Sequence, residues 1–176
     1  IIILILFHIM KPIKKLLILS ALFFCYHSAA AQGHIPQTSA VNFSFGKSSF
    51  TTVFGAGYAY FINEKTFLSG SLNYEYGEAH QFKFQSISTD LLANHSILNL
   101  NGNLYLNAGA GLSLAYESLQ PDATKGFNYG GLIRGEVETF ITDAISVSLW
   151  IDQAFLAKKD IGNLRNRYGL GLRLFF

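Results

Sequence analysis

Residues able to act as an acid, a base or a nucleophile are few in this sequence, and they are scattered. His80 lies two residues after Glu78, and Ser118 follows Glu117, in two stretches that read as separate polar loops. A histidine near a carboxylate can act as a general base and can activate a serine hydroxyl when the side chains converge. A histidine in a polar loop is more often a solvated surface residue, so we predict no catalytic residue and interpret the protein as a non-enzyme.

The same scarcity argues against a metal or cofactor site. The histidines beyond residue 31 are His34, His80 and His95, which lie far apart in a stretch without cysteine, whereas metal sites need clustered ligands. Gly46-Lys47-Ser48 resembles the end of a phosphate-binding loop, but Val41 stands where the first glycine of that loop should be. We therefore predict no metal and no cofactor, and we interpret residues 46–49 as a short loop.

The composition indicates the class of protein that carries these residues. Only 14% of the residues are charged, while 50% are hydrophobic and 15% are aromatic. Soluble domains carry charge on about a quarter of their residues, so this composition favours a chain that is partly solvated by lipid. The net charge of +2 is too small for a nucleic-acid surface, and Lys11, Lys14 and Lys15 form one short N-terminal patch. We predict no direct nucleic-acid site.

The N-terminal region has the pattern of a secretion signal. Met10 is followed by the basic patch, a mostly apolar run from Leu16 to Cys25, and Ala29-Ala30-Ala31. This pattern predicts a signal peptide that is cleaved between Ala31 and Gln32, with residues 1–9 upstream of the true start. A permanent membrane helix is the weaker alternative, because lysines interrupt the apolar residues. We expect residues 1–31 to be removed and residues 32–176 to form one domain.

Beyond residue 31, apolar and polar residues alternate with a period of two, which is typical of strands with one apolar face. From Leu104 to Tyr116, every second residue is Leu, Ala or Tyr, and most of those between are Asn, Gly or Ser. The pattern recurs in segments 54–62, 68–76, 145–151 and 168–176. Less regular segments at 41–45, 82–98 and 128–140 bring the number of predicted strands to eight.

Strand number and connection lengths indicate the fold class. Short turns at 63–65, 99–103 and 142–143 alternate with longer polar connections at 77–81, 118–127 and 158–166. Membrane barrels combine strands of about 9 to 11 residues with short periplasmic turns and longer outer loops. We predict an all-β, eight-stranded antiparallel up-and-down transmembrane β-barrel. A soluble sandwich is the alternative, because β-propensity alone also enriches tyrosine and phenylalanine.

Charged residues fall on the face opposite the apolar one, which becomes the interior of the barrel. An eight-stranded barrel is just wide enough for side chains to fill it, and charges removed from water must be paired. We therefore predict a plugged, ion-paired lumen. Its predicted ionic residues are Glu75, Arg134, Glu136, Glu138, Asp152, Arg167 and Arg173, with Glu117 on the same face.

The last strand ends on an aromatic residue in the lipid-facing register. This ending resembles the C-terminal assembly signal of bacterial outer-membrane barrels, which implies outer-membrane lipid and the barrel assembly machinery as partners. The residues that carry the predicted signal are Tyr168, Leu170, Leu172, Leu174 and Phe176.

Four segments together resemble the TraO conjugal-transfer proteins of Bacteroides-type conjugative transposons. They are Gln32 to Gln37, the strand Leu104 to Glu117, Glu138 to Asp143, and Arg165 to Phe176. The resemblance implies a barrel in the outer membrane of a Gram-negative bacterium, which acts as a structural or accessory component of a DNA-transfer apparatus beside other conjugation proteins of the envelope. It implies no catalytic residue. The alternative is a general surface barrel of the adhesin, protective or lipid-modifying enzyme kind.

Overall fold

The computed structural model describes residues 33–79, 82–120, 124–157 and 163–176, which form a closed antiparallel barrel. Each strand pairs with its neighbours in the sequence, and the first pairs with the last. The strands are β1 Ser39–Ser48, β2 Thr51–Phe61, β3 Thr66–Ala79, β4 Phe82–Leu100, β5 Leu104–Gln120, β6 Thr124–Thr142, β7 Ile145–Leu156 and β8 Leu164–Phe175. The predicted eight-stranded up-and-down barrel is confirmed.

Alternation along each strand separates an apolar outer surface from a mixed interior. On β5, Leu112 and Leu114 are exposed on the outer surface, while Ser113 and Ala115 are buried. Successive side chains of a strand point to opposite faces, so one register fixes both surfaces. The outer surface of a membrane barrel faces lipid, and its exposed leucines, isoleucines and aromatic residues form an apolar belt.

Short connections and both described chain ends lie at one end of the barrel, here called the turn end. Asn63 accepts hydrogen bonds from the backbone amides of Lys65 and Thr66 at 2.9 and 2.8 Å, which fixes the β2–β3 turn. Asn101 and Gly102 have positive φ angles of 55° and 75°, the conformation that an Asn-Gly hairpin turn requires. The opposite end, which carries the β1–β2, β3–β4, β5–β6 and β7–β8 connections, is here called the loop end.

The predicted connections at the loop end are wrong in their bounds. Residues 46–48 belong to β1 rather than to a loop, and residues 77–79 and 118–120 continue β3 and β5. The strands here leave the apolar belt, and outward side chains such as Glu78 and Lys83 become polar because they face water. The period-two signal is then lost although the backbone pairing continues, as in Glu78 with Lys83.

The β5–β6 hairpin projects beyond its neighbour at the loop end. β6 pairs with β5 from Thr124 onwards, but it pairs with β7 only from Gly130. β4, β5 and β6 are 19, 17 and 19 residues long, which exceeds the length that a membrane strand requires. Among the described residues there is no helix of a length and hydropathy that could span a membrane.

Candidate functional site: an ionic lumen closed at both ends

Two groups of charged side chains fill the lumen at different heights. The group nearer the loop end is here called the upper cluster and contains Glu75, Asp90, Glu117, Arg134, Asp152, Arg165 and Arg167. The group nearer the turn end is called the lower cluster and contains Glu136, Glu138, Arg173 and His34.

Two aspartates and two arginines form the centre of the upper cluster. Arg134 donates to both oxygens of Asp152, with Nε to Oδ1 at 2.7 Å and Nη2 to Oδ2 at 2.8 Å. Arg167 Nη2 lies 2.7 Å from Asp90 Oδ2 and 3.0 Å from Asp152 Oδ2. Bidentate and bridging contacts of this kind compensate the loss of water around buried carboxylates.

Arg165 and Phe84 narrow the lumen towards the loop end. Arg165 Nη2 donates to Glu117 Oε1, and its Nη1 lies 3.7 Å from Glu75 Oε2. The guanidinium group sits 5.1 Å from the centre of the Phe84 ring, and Phe50 lies against the same ring. The ion pair of Arg165 with Glu117 and the two aromatic rings therefore occupy the lumen at this level.

The lower cluster joins β6 to β8 across the lumen. Arg173 Nη2 donates to Glu136 Oε1 at 3.0 Å, and its Nη1 lies 2.6 Å from Glu138 Oε2. Arg173 Nε donates to Asn42 Oδ1 at 2.8 Å, and Ser146 donates to Glu138 Oε1 at 2.5 Å. Glu138 has no exposed surface, so hydrogen bonds from these donors replace the ones that water would form with its carboxylate.

Between the two clusters lies a small cavity lined in part by Ser44, Ser71, Arg134, Glu136 and Trp150. Its volume of about 30 Å³ is enough for one or two water molecules and for no larger solute. Ion pairs occupy the lumen on both sides of this cavity among the described residues.

An aromatic layer closes the turn end beneath the lower cluster. Its rings come from five strands and surround the imidazole of His34: Phe61, Phe67, Tyr105, Phe140 and Phe175. Tyr105 stacks on the imidazole at 4.0 Å between ring centres. The N-terminal segment thus contributes a side chain to the barrel core.

The structure places the seven sequence-predicted ionic residues on the inner face, and it adds three that the sequence reasoning missed. Asp90 lies in the irregular segment 82–98, where polar outward residues obscure the alternation, although Asp90 is itself completely buried. Arg165 falls in a stretch read as a loop. The sequence offers His34 only as a candidate metal ligand, because nothing in its local sequence indicates that the chain turns back into the barrel.

The residues of the predicted assembly signal all face outwards. Tyr168, Leu170, Leu172 and Leu174 alternate with inward residues on β8, and Phe176 follows its last residue with 71% of its surface exposed. Phe176 pairs through its backbone with Ser39 at the seam between the first and last strands. The Phe176 ring is therefore exposed beside the strand pair that closes the barrel.

The model of one protein family, described as conjugative transposon protein TraO, matches residues 75–176, which is more than half of the chain. The chain belongs to the TraO family. The resemblance drawn from the sequence is thereby confirmed, and the match covers both β6 and β8, which carry the lower cluster of this TraO-family barrel. No curated protein gives a match.

The fold of this TraO-family chain is similar to that of several solved structures. The N-terminal β-barrel domain of Pseudomonas aeruginosa OprF has a TM-score of 0.65 at 15% identity, covering 81% of this chain and 100% of that chain. Ail of Yersinia pestis has a TM-score of 0.58 at 11% identity, covering 81% and 100%. Neisserial surface protein A has a TM-score of 0.57 at 17% identity, covering 78% and 94%. At these identities the likeness shows the fold alone.

The weak catalytic candidates from the sequence do not form a described site in this TraO-family barrel. Glu117 points into the lumen and binds Arg165, whereas the next residue, Ser118, points the other way. Glu78 forms an exposed ion pair with Lys83 at 3.3 Å. His80 lies outside the described residues. Among residues that are described, no group of three or more His, Cys, Asp or Glu has a metal-binding arrangement.

Proposed function

We propose that this TraO-family chain is an outer-membrane barrel of a conjugative DNA-transfer apparatus, with a structural or accessory role and no catalytic one. The match of residues 75–176 to the TraO family carries the proposal. Other conjugation proteins of the envelope are the partners that this membership supports.

The exterior of the barrel supports an outer-membrane location. Leucine and isoleucine side chains are exposed around the barrel, and aromatic rings flank them near the loop end, including Tyr74, Tyr116 and Tyr129. An apolar band with aromatic girdles matches the solvent profile of a bilayer. The partners that follow are outer-membrane lipid and the barrel assembly machinery, the latter through the outward β8 residues that end at Phe176. The predicted signal peptide and its cleavage site lie outside the described residues.

The lumen argues that the barrel acts through its surfaces rather than as a conduit. Ionic clusters and an aromatic layer occupy its interior, so a strand of DNA has no room to pass. Two surfaces remain for contact with partners. One is the projecting β5–β6 hairpin at the loop end, which lies outside the cell when the turns are periplasmic. The other is the set of short turns at the opposite end.

Deletion of the gene from a donor cell tests the proposal. We expect mating frequency to fall, complementation in trans to restore it, and uptake of a membrane-impermeant dye to stay unchanged, because a sealed barrel does not set envelope permeability. A donor that transfers its element at the wild-type frequency contradicts the role in conjugation and favours the general surface barrel.

Surface variants in the complemented donor locate the working face. Phe127 is exposed on the outside of the projecting hairpin and packs edge-on against Tyr116. Replacing Phe127 with serine while keeping Tyr116 tests the loop end, and exchanging the charges of the exposed turn residues Glu64 and Lys65 tests the turn end. Whichever of the two variants lowers mating while the barrel remains in the outer membrane identifies the end of the barrel that contacts the transfer apparatus.

A further inference from the structure

The chain segment ahead of β1 folds back into the turn end of the barrel. Gln37 donates its backbone amide to Phe61 at 2.7 Å, and Phe61 donates its own to Thr38 at 3.0 Å. A side chain on Gly33 would collide with the hydroxyl of Tyr105 and with the carbonyl of Gly102. Residues 33–38, here called the N-terminal plug, are therefore fitted to the barrel by backbone contacts and by a position that only glycine can occupy.

His34 links the plug to two residues that complete a Ser–His–Glu arrangement. His34 Nε2 lies 2.9 Å from Glu138 Oε2, and Nδ1 lies 3.3 Å from Ser96 Oγ. A serine, a histidine and a carboxylate in contact are also the parts of a hydrolase triad, in which the serine gives its proton to the histidine. The direction in which Ser96 donates therefore distinguishes a catalytic group from a structural one.

The hydrogen-bond network fixes that direction. Glu138 is surrounded by donors and accepts from Asn107 Nδ2 at 3.1 Å, so the amide oxygen of Asn107 must face the other way. That oxygen lies 2.7 Å from Ser96 Oγ, which can approach so closely only by donating its single proton. Ser96 then has only lone pairs to offer to His34. Both ring nitrogens of His34 are therefore donors, one to Ser96 and one to Glu138.

The charges around Glu138 favour the same assignment. The ionic contacts of the lower cluster join two carboxylates, Glu136 and Glu138, to a single guanidinium, that of Arg173. Buried charges are tolerated when they are compensated, and a cation beside Glu138 adds to the compensation that Arg173 gives. His34 has no exposed side-chain surface and is in direct contact with Glu138, so its imidazolium supplies that charge.

We propose that His34 is a charged latch that holds the N-terminal plug in the turn end, and that the Ser96–His34–Glu138 group is structural rather than catalytic. The imidazolium binds Glu138 and Ser96 at its edges and stacks on Tyr105, while phenylalanine rings cover its remaining surface. The latch fixes the N-terminal segment at the closed end of the barrel, and it does so whether or not the protein takes part in DNA transfer.

Nitrogen NMR of the wild-type barrel, labelled at histidine and folded in detergent at neutral pH, tests the charged state. We expect both ring nitrogens of His34 to show one-bond coupling to hydrogen. A ring with one protonated and one bare nitrogen overturns the proposal. Reaction of the folded barrel with a fluorophosphonate tests the catalytic alternative: Ser96 should remain unlabelled, and a covalent adduct at Ser96 contradicts the structural assignment.

Hydrogen exchange with a matched histidine variant tests the latch. His34→Gln removes the imidazolium and with it the ring contacts to Glu138 and Ser96, and we expect exchange of the Gln37 amide to accelerate about 10- to 100-fold, the range for a lost hydrogen bond to a charged group. His95→Gln is the control, because His95 is exposed and bonds only to Thr66 among the contacts described for its ring. Equal exchange rates in the two variants refute the latch, and the wild-type measurements remain decisive if His34→Gln does not fold.

Discussion

Arg167 is the side chain whose loss should damage the lumen most. It is buried, and it contacts Asp90 at 2.7 Å, Asp152 at 3.0 Å and Glu75 at 3.5 Å. In Arg167→Met, Asp152 keeps its bidentate contact with Arg134, but Asp90 and Glu75 lose their nearest cation. Breaking a buried ion pair by removing one partner typically costs about 3 to 5 kcal/mol, and we expect a loss of folding free energy in that range.

Two further variants should lose less folding free energy than Arg167→Met. Arg134→Met leaves Asp152 paired with Arg167, so the loss should be smaller, about 1.5 to 3 kcal/mol, the range for hydrogen bonds to a charged group. Lys83→Met removes an exposed ion pair with Glu78, which contributes about 0 to 1 kcal/mol. The predicted order of stability is therefore wild type and Lys83→Met, then Arg134→Met, then Arg167→Met.

Trp150 makes the assay specific to the lumen. It is the only tryptophan of the chain, it is buried, and Arg134 lies 5.4 Å from its ring centre. Urea titration of each variant in lipid vesicles, followed by tryptophan fluorescence, gives its free energy of unfolding. Equal values for Arg167→Met and Lys83→Met would refute the assignment of Arg167 to a buried ionic network.

Two other outcomes follow from the same geometry, and a third follows from the N-terminal sequence. Gly46→Val should destabilise the barrel by about 1 to 3 kcal/mol in urea titration, because its side chain would meet the Trp150 ring at 2.8 Å, whereas Gly131→Val, with open space around it, should not. Phe176→Ser should lower the amount of folded barrel in the outer membrane on immunoblots of fractionated envelopes, while Phe155→Ser, another exposed aromatic residue, should leave it unchanged. Mass spectrometry of the envelope protein should give a chain that begins at residue 32.

Period-two alternation was sufficient to predict the barrel because the outer surface is apolar over most of each strand. Where outward residues face water, as at Glu78 and Lys83, the pattern disappears while the strand continues. The predicted connections at the loop end were therefore too long. The alternation of apolar and polar residues depends on the environment of the outward side chains. It therefore reveals a strand only where that environment is apolar.

The interior could be predicted only as a face and not as a set of pairs. Alternation placed Arg167 inside, but its contact with Asp90 joins residues 77 positions apart and depends on the register of the closed barrel. His34 was still harder to predict, because its position depends on a segment outside the strands that turns back into the lumen. No periodicity carries that information, and only a glycine at position 33 hints at the close approach.

Electrical recording of the purified protein in a planar bilayer tests the closed lumen most directly. The ion pairs of Arg165 and Arg167, the lower cluster and the aromatic layer at His34 lie in series along the barrel. We expect the current to stay at the baseline under applied voltage, while resistance to protease shows that the inserted barrel is folded. Reproducible stepwise openings in the wild-type protein would contradict it.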